Sequence, residues 1–400
     1  MGEPVLVTGL GIVTPFNPDG DRERFWASLC AGEAAVGAIR SFDASAYPCR
    51  VAAEVDREAL YAGRATADPA LRMAERAFER ALDDAGLARG RGMPRRAGII
   101  LGTVLGGTAS GERYLRARAQ GAPGATETLV QYPLRAAAHA LAERAGFSGP
   151  VLTVSTACAS GTDAIGLAYR RIASGAADML VAGGVDALCE LSFSGFCALR
   201  ALTTDRVRPF SRNRTGLALG EGAAFLVLER ECAAKQRGAT PLGRIAGYAT
   251  RSDAFHLTAP HRDGRGLAAA VKAVLADGAV GPAQIDYVSA HGTGTPYNDR
   301  METLALKAAL GACAARVPIS SVKGALGHAF GAAGAIEAAV CLLAIRDGVV
   351  PPTANLEEPD PECDLDFVPG GARRVAVRTA LTVSAGFGGQ NAALVIRGCP

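Results

Sequence analysis

The 400-residue chain has a single tryptophan, five histidines and almost no net charge, with 42 lysines and arginines against 39 aspartates and glutamates. That balance excludes the broad basic field on which non-specific nucleic-acid binding depends, so an acidic partner has to be met by a local patch. No run of 18 apolar residues occurs, which argues against a membrane-spanning helix. The N-terminal MGEPVLVTGLGIVTPF has neither a basic leader nor a small-residue cleavage site, and the expectation is a cytoplasmic protein without a membrane partner. None of the ten cysteines lies in a C-x-x-C pair, and no H-x-x-x-H occurs. Disulfide frameworks and metal clusters of ordinary spacing are therefore not signalled, and free thiols with no metal are expected.

With 49% hydrophobic and 20% charged residues the chain can bury a large core, and its length suggests about two to three domains' worth of structure. Apolar, β-branched runs fall at 4–13, 97–102, 150–155, 179–183 and 223–229, and again at 242–249, 285–290, 316–321, 374–384 and 392–397. Helical candidates separate many of them, including 300–310 and 334–346. This alternation predicts an α/β fold with a buried parallel or mixed sheet, divided into halves at 1–240 and 241–400 that pack as one body. Charged segments at 56–68, 113–128 and 203–215 read as surface, and the middle one could cap a pocket.

In VLTVSTACASGTDAIGLAYRRIASG (151–175) a strand ends near Ser155, and Ile165, Ala168 and Ile172 recur at helical spacing after it. Cys158 is thereby placed at a helix N-terminus, where free N–H groups and the helix dipole favour a thiolate. The small neighbours Ala157, Ala159 and Gly161 leave room for a substrate. The plain alternative, a buried cysteine acting as a small hydrophobe, suits most of the other nine.

His291 closes a strand in YVSAHGTGTPYND (287–299), and His328 lies in SSVKGALGHAFGAAGAIE (320–337). Either alone is more often structural than catalytic, but a cysteine and two histidines each at a strand end point to nucleophilic chemistry. Hydroxyls of Thr293 and Thr295 offer hydrogen bonds to an amide-bearing arm. Lys323 and Glu337 flank His328 and read as an ion pair that sets its charge and orientation.

These residues resemble the β-ketoacyl-(acyl carrier protein) synthases of dissociated fatty-acid and polyketide systems, in the thiolase superfamily. The resemblance runs from VLVTGLGIVTP (5–15) through TACASG (156–161), GEGAA (220–224), SDAFHLTAP (252–260), HGTGTP (291–296), VKGALGHAFGAAGAIE (322–337) and PDPECDLDFVP (359–369) to SAGFGGQNAAL (384–394). It implies a five-layered α-β-α-β-α duplication, with Cys158 as the acyl-accepting nucleophile. It also implies that His291 and His328 promote loss of CO₂ from a malonyl thioester and stabilise the enolate, with Lys323 and Glu337 in support. The N–H groups of Cys158 and Phe387 would form the oxyanion hole, and Phe387 would be the gating aromatic. Thr293, Thr295 and, less directly, Thr258 would hold the phosphopantetheine arm, which the acyl carrier protein supplies; no bound cofactor is implied. A homodimer, or a heterodimer with a chain-length-factor-like subunit, is the implied assembly.

The chain departs from the common FGFGGTN pattern in AGFGGQN, where Ala385 replaces a first Phe and Gln390 a Thr. An ungapped match puts Gly111 where many fatty-acid enzymes have a bulky aliphatic residue, which predicts a roomier acyl pocket. These departures lean towards a specialised polyketide ketosynthase, such as a polyene-building one, over a housekeeping fatty-acid elongating enzyme. Arg206, Arg208, Arg212 and Arg214 form the basic cluster expected to meet the acidic carrier. A thiolase would need a second cysteine in a C-terminal C-x-G motif, and SAGF (384–387) has none. A non-catalytic scaffold would lack the nucleophile or a histidine.

Overall fold

The computed structural model describes residues 3–62, 68–87, 93–122 and 126–399. Each of the ten apolar runs supplies one strand of a single mixed sheet. They are β1 (Val5–Val13), β2 (Ala97–Gly102), β3 (Val151–Val154), β4 (Met179–Asp186), β5 (Gly222–Arg230), β6 (Gly243–Ser252), β7 (Tyr287–Ser289), β8 (Ile319–Ser320), β9 (Thr379–Gly386) and β10 (Gln390–Arg397). Their spatial order is β8-β7-β9-β10-β6-β1-β5-β4-β2-β3. The run at 374–384 is shorter as a strand than expected, because Arg373–Arg374 pairs separately with Val349–Val350.

Outward from the middle, the orders β1-β5-β4-β2-β3 and β6-β10-β9-β7-β8 are equivalent. In each, the first two steps are antiparallel and the last two parallel. The junction itself is short, pairing Val5 with Ile245, Leu6 with Arg244 and Val7 with Gly243.

The principal helices are α1 (Pro69–Asp84), α2 (Thr108–Ala119), α3 (Ala136–Ala145), α4 (Ser160–Ala173), α5 (Glu190–Ala198), α6 (Arg265–Asp277), α7 (Pro296–Leu310) and α8 (Ala333–Asp347). Helices α4 and α8 lie between the two sets of five strands and touch both. Outer helices α1 and α3 cover the first set, and α6 and α7 cover the second. The layers are therefore helix, sheet, helix, sheet, helix.

Strand β5 shows why its sequence reads as one apolar run. Phe225 and Val227 face outwards to Phe78 and Ala81 of α1, while Leu226 and Leu228 face the central helices. With both faces buried, the usual alternation of polar and apolar residues disappears. Helix α8 is likewise apolar on all sides and buried from Ala333 to Ala344, as a helix in a middle layer must be. Its one charged residue in that stretch, Glu337, belongs to the site below.

The expected surface segment at 113–128 continues α2 to Ala119 and ends in a 3₁₀ turn, Thr126–Gln131. Residues 63–67 of the segment at 56–68, and 123–125 of this one, lie outside the described residues.

Close packing between α4 and the segment leading into α8 sets the position of the loop that carries Cys158. A Cβ built on Gly161 would stand 2.6 Å from the Gly331 carbonyl oxygen and 2.9 Å from the Ala335 nitrogen, both backbone atoms with no freedom to yield cheaply. Gly161→Ala should destabilise the protein by about 1–3 kcal/mol. Urea denaturation with an unchanged slope and a lowered midpoint is the expected result.

Candidate active site

Three loops at strand ends converge on one cavity of about 330 Å³, lined by Cys158, His291, His328, Thr293, Thr295, Thr258 and Phe387 among others. Cys158 sits between β3 and α4, on a turn entered through Ala157 in the left-handed region at φ 50°. A non-glycine residue there costs of order 1–3 kcal/mol and persists only when its surroundings hold it. Ser160 does so, because its Oγ accepts from Thr156 N–H at 2.9 Å and donates to the Ala157 carbonyl at 2.6 Å. The turn is tied down further by Asp163, whose carboxylate accepts from Thr156 Oγ1 at 2.5 Å and from the Tyr248 hydroxyl at 2.8 Å.

His291 and His328 are both about 2% exposed, with ring centroids 5.2 Å apart and planes nearly perpendicular. The Cys158 sulfur and one nitrogen of each imidazole all lie within 4.8 Å of one another. The backbone of His328 is pinned on both sides, its N–H donating to Ala218 O at 2.8 Å and its carbonyl accepting from Gly220 N–H at 2.9 Å. Neither of its ring nitrogens has a hydrogen-bond partner among the described residues, which leaves both for a ligand.

Lys323 and Glu337 form the expected ion pair, both side chains being almost wholly buried. The pair reaches His291, whereas the sequence reading placed it beside His328: Lys323 Nζ lies 3.3 Å from His291 Nδ1. An ammonium can only donate, so Nδ1 accepts and the ring proton sits on Nε2. Burial, with the Lys323 charge next in importance, holds both imidazoles well below the ordinary histidine range, so both are neutral at pH 7. Burial also pushes the Glu337 carboxyl up to about 7, opposed by Lys323.

The thiolate expectation needs correction. Helix α4 starts at Ser160, two residues beyond Cys158, and burial pushes the thiol up to about 11. Lys323 and a hydrogen bond from the Phe387 N–H pull it down but do not outweigh desolvation. The resting group is a thiol.

Residues that sequence reasoning passed over hold the histidine loops in place. Glu302 of α7 accepts from the N–H groups of His291 at 2.6 Å and Gly292 at 2.8 Å. One helical turn earlier, Asp299 accepts from Thr293 and Gly294 N–H at 3.1 and 3.2 Å. The turn is possible because Gly292 and Gly294 adopt φ of 35° and 74°. At the end of β4, Asp186 accepts from Thr103 Oγ1, Leu105 N–H and Gly331 N–H at 2.7, 2.8 and 2.7 Å, and so ties the His328 loop to the loop after β2. The spacing of two acids by three residues directly after HGTGTP was the available signal for the first pair; nothing local marked Asp186.

The first domain of the β-ketoacyl synthases matches residues 2–234, and their C-terminal domain matches residues 242–357. The chain belongs to the β-ketoacyl synthase family. It is 42% identical over 414 residues to the tetracenomycin polyketide synthase ketoacyl synthase alpha subunit of Streptomyces glaucescens, covering 98% of this chain and 97% of that one. It is 39% identical over 408 residues to 3-oxoacyl-[acyl-carrier-protein] synthase 2 of a Synechocystis strain, covering 98% and 97%. Among solved structures, the ishigamide ketosynthase/chain length factor superposes with a TM-score of 0.93 at 35% identity, covering all of both chains. A type II polyketide synthase acyl-carrier protein in complex with its ketosynthase bound to the hexaketide gives 0.92 at 33%, again over both full chains. This β-ketoacyl synthase is an acyltransferase of thiolase-like fold that extends an enzyme-bound acyl chain by two carbons through decarboxylative condensation.

Other residues expected at the synthase site divide into two groups. Thr293 and Thr295 line the cavity with hydroxyls 2.9 Å apart, and Thr258 stands on the exposed 253–260 loop at its mouth. Phe387 has not lost its aromatic neighbour with the change to Ala385: its ring stacks on Phe196 of α5 at 5.5 Å. Ala385 lines the cavity beside it, and Gln390 pairs across the hairpin with Gly386. Gly111, by contrast, does not line the cavity. The space that a side chain would occupy there is filled by the Tyr132 ring, 2.6 Å from an added Cβ, so this glycine does not enlarge the pocket in the chain alone.

The arginine cluster is also divided. Arg214 is a half-buried brace, its side chain 6% exposed and bound to Asp360 and to the carbonyls of Ser211, Thr295 and Pro296, so its guanidinium is committed within the chain. Arg208 is half-buried and held by Asp205 at 2.6 Å. Arg206 and Arg212 are exposed. Among the described residues, no helix is long and apolar enough to cross a membrane.

A thiol raised to about 11 predicts that alkylation of Cys158 by iodoacetamide rises about tenfold per pH unit from 7 to 9, since the reactive thiolate is a minor species throughout. Peptide-level mass spectrometry reads this directly. A rate already level at pH 7 would show that the helix end outweighs burial.

Proposed function

We propose that this chain is the nucleophile-bearing ketosynthase of a dissociated polyketide system, loaded and extended by acyl carrier proteins and paired with a chain-length-factor-like subunit. The observation that carries this reading is the convergence of Cys158 with two neutral, buried imidazoles at the end of one cavity. Support for the polyketide assignment comes from the tetracenomycin and ishigamide ketosynthases, and the latter is described together with its chain length factor.

The geometry suits the following sequence. The phosphopantetheine arm enters past Thr258 and lies along Thr293 and Thr295. Cys158 sulfur attacks the thioester carbonyl, with the N–H groups of Cys158 and Phe387 receiving the oxyanion. The tetrahedral adduct collapses to an acyl-enzyme, and the carrier thiol leaves with the proton that Cys158 gave up. Malonyl carrier protein then binds the same cavity. Breaking the bond to its carboxylate releases CO₂ and leaves the electron pair as an enolate, whose oxygen accepts from His291 Nε2–H and from an N–H of His328. Two neutral donors are what an enolate needs; imidazolium groups would hand it a proton and quench the carbon nucleophile. The enolate carbon attacks the acyl-enzyme carbonyl, the Cys158 sulfur leaves and takes up a proton from solvent to restore the thiol, and a β-ketoacyl chain departs on the carrier.

Phe387, stacked on Phe196, lines the cavity with Cys158, and its turn is laced to the neighbouring loop by Gly388 N–H donating to Leu257 O at 2.7 Å. Carrier docking falls to Arg206 and Arg212, the two exposed members of the cluster. A fatty-acid elongating role is the second reading, favoured by the 39% identity to the Synechocystis synthase.

Intact-protein mass spectrometry after exposure to saturated and conjugated polyunsaturated acyl carrier proteins separates the two. Labelling of the wild type mainly by conjugated or polyketide chains, and none of Cys158→Ala, is expected. Preferential labelling by saturated chains would establish the fatty-acid reading instead. Arg206→Glu combined with Arg212→Glu should raise KM for the carrier about tenfold or more while leaving the thermal midpoint unchanged. An unaltered KM would move the docking surface elsewhere.

A further inference from the structure

We propose that Cys158, His291 and His328 also form an inhibitory site for a soft divalent cation, best matched by Zn²⁺, and that Lys323 keeps its affinity low. Linear spacing gave no hint of a ligand set, because the three residues come from loops far apart in the chain. In the fold, their sulfur and ring nitrogens lie within 4.8 Å of one another and all three residues are buried. One thiol and two imidazoles are a donor set that zinc prefers. Tetrahedral coordination at the usual bond lengths would put these atoms about 3.4–3.6 Å apart. Closing from the present separation takes about 1 Å, within reach of a cysteine rotation and small ring movements. The fourth position would face the cavity and hold water, the open arrangement of a reactive zinc site.

A second, independent feature points to a ligand. The His328 ring is 2% exposed, yet neither of its nitrogens has a hydrogen-bond partner among the described residues. A polar ring so deeply buried is satisfied by something that enters the cavity. The substrate enolate oxygen is one such group, and a metal ion is another.

The guard is the hydrogen bond from Lys323 to His291 Nδ1, at 3.3 Å. By placing the ring proton on Nε2, it makes that nitrogen a donor towards substrate and removes the lone pair that a metal would need. For His291 to bind zinc through Nε2, its proton has to move to Nδ1, and Lys323 has to stop donating there. The same hydrogen bond therefore sets the tautomer useful for condensation and disfavours metal capture. Lys323 also places a positive charge behind the ring, paired with Glu337. On binding, zinc sheds waters and forms a bond to the Cys158 sulfur, whose proton goes to solvent; no electrons are transferred.

The test reads metal binding and not condensation, so it stands or falls apart from the ketosynthase assignment. Free Zn²⁺ is set with a chelator buffer, and alkylation of the Cys158 peptide by iodoacetamide is followed by mass spectrometry, normalised to each protein's metal-free rate. Zinc should protect Cys158 in the wild type. In Lys323→Met/Glu337→Gln, which removes the guard without stranding a buried carboxylate, the same protection should need at least about tenfold less free zinc. His328→Asn should abolish protection in either background, and Co²⁺ as a surrogate should give a thiolate charge-transfer band only where His328 is present. Absence of protection in both proteins, equal zinc requirements in the two, or protection that survives His328→Asn would each overturn the proposal. Should the double variant fail to fold, the comparison of wild type with His328→Asn still decides whether the site exists.

Discussion

The electrostatics of the candidate site depend on a buried ion pair. Helix α8 runs through the middle layer with apolar residues on every side, and Glu337 would be untenable there without Lys323 against it. Breaking such a pair by removing one partner typically costs about 3–5 kcal/mol. What the protein gains from this arrangement is an ammonium fixed behind His291, which selects the ring's tautomer. It also helps to keep both imidazoles neutral and draws the Cys158 thiol towards ionisation. One charge thus acts on all three groups, and it does so because the middle helices bring both halves of the sheet within reach of the same point.

Buried carboxylates solve a second problem, that of holding glycine-rich loops still. Asp186, Glu302 and Asp299 accept backbone N–H groups of these loops. Desolvation raises all three, Asp186 to about 6 and Glu302 to about 7, and the converging N–H donors oppose it. Loops rich in glycine have much conformational entropy to lose, and multiple hydrogen bonds to one charged acceptor offset that loss better than neutral contacts would. The histidines are precise because their backbones are.

A chain of aromatic contacts runs from the cavity wall to the His328 ring. Phe387 stacks on Phe196, which meets Phe330 edge-on at 5.8 Å, and Phe330 lies 6.1 Å from the His328 ring. The turn carrying Phe387 and the loop at 253–260 share backbone hydrogen bonds, so movement of one loads the other. With Ala385 in place, the stacking partner of Phe387 comes from α5 and not from the adjoining residue.

Much of this was legible in the amino-acid order. Ten strands could be read from ten apolar runs because strands buried on both faces leave continuous β-branched stretches. Cys158, His291 and His328 stood out because small residues surround each of them, a pattern that core packing does not call for. The partner of Lys323 could be read from its neighbourhood, but the histidine it serves could not, since a 3.3 Å contact across 32 residues is set by how two loops fold back. Burial raised the Cys158 thiol, with Lys323 opposing it, and the ion pairs decided which arginines face solvent. The room expected at Gly111 was filled by Tyr132, a residue 21 positions away. Local sequence specifies secondary structure, turns and the chemical kinds of group present. Desolvation, tautomer and free volume are sums over neighbours distant in the chain, and those exist only once the layers have packed.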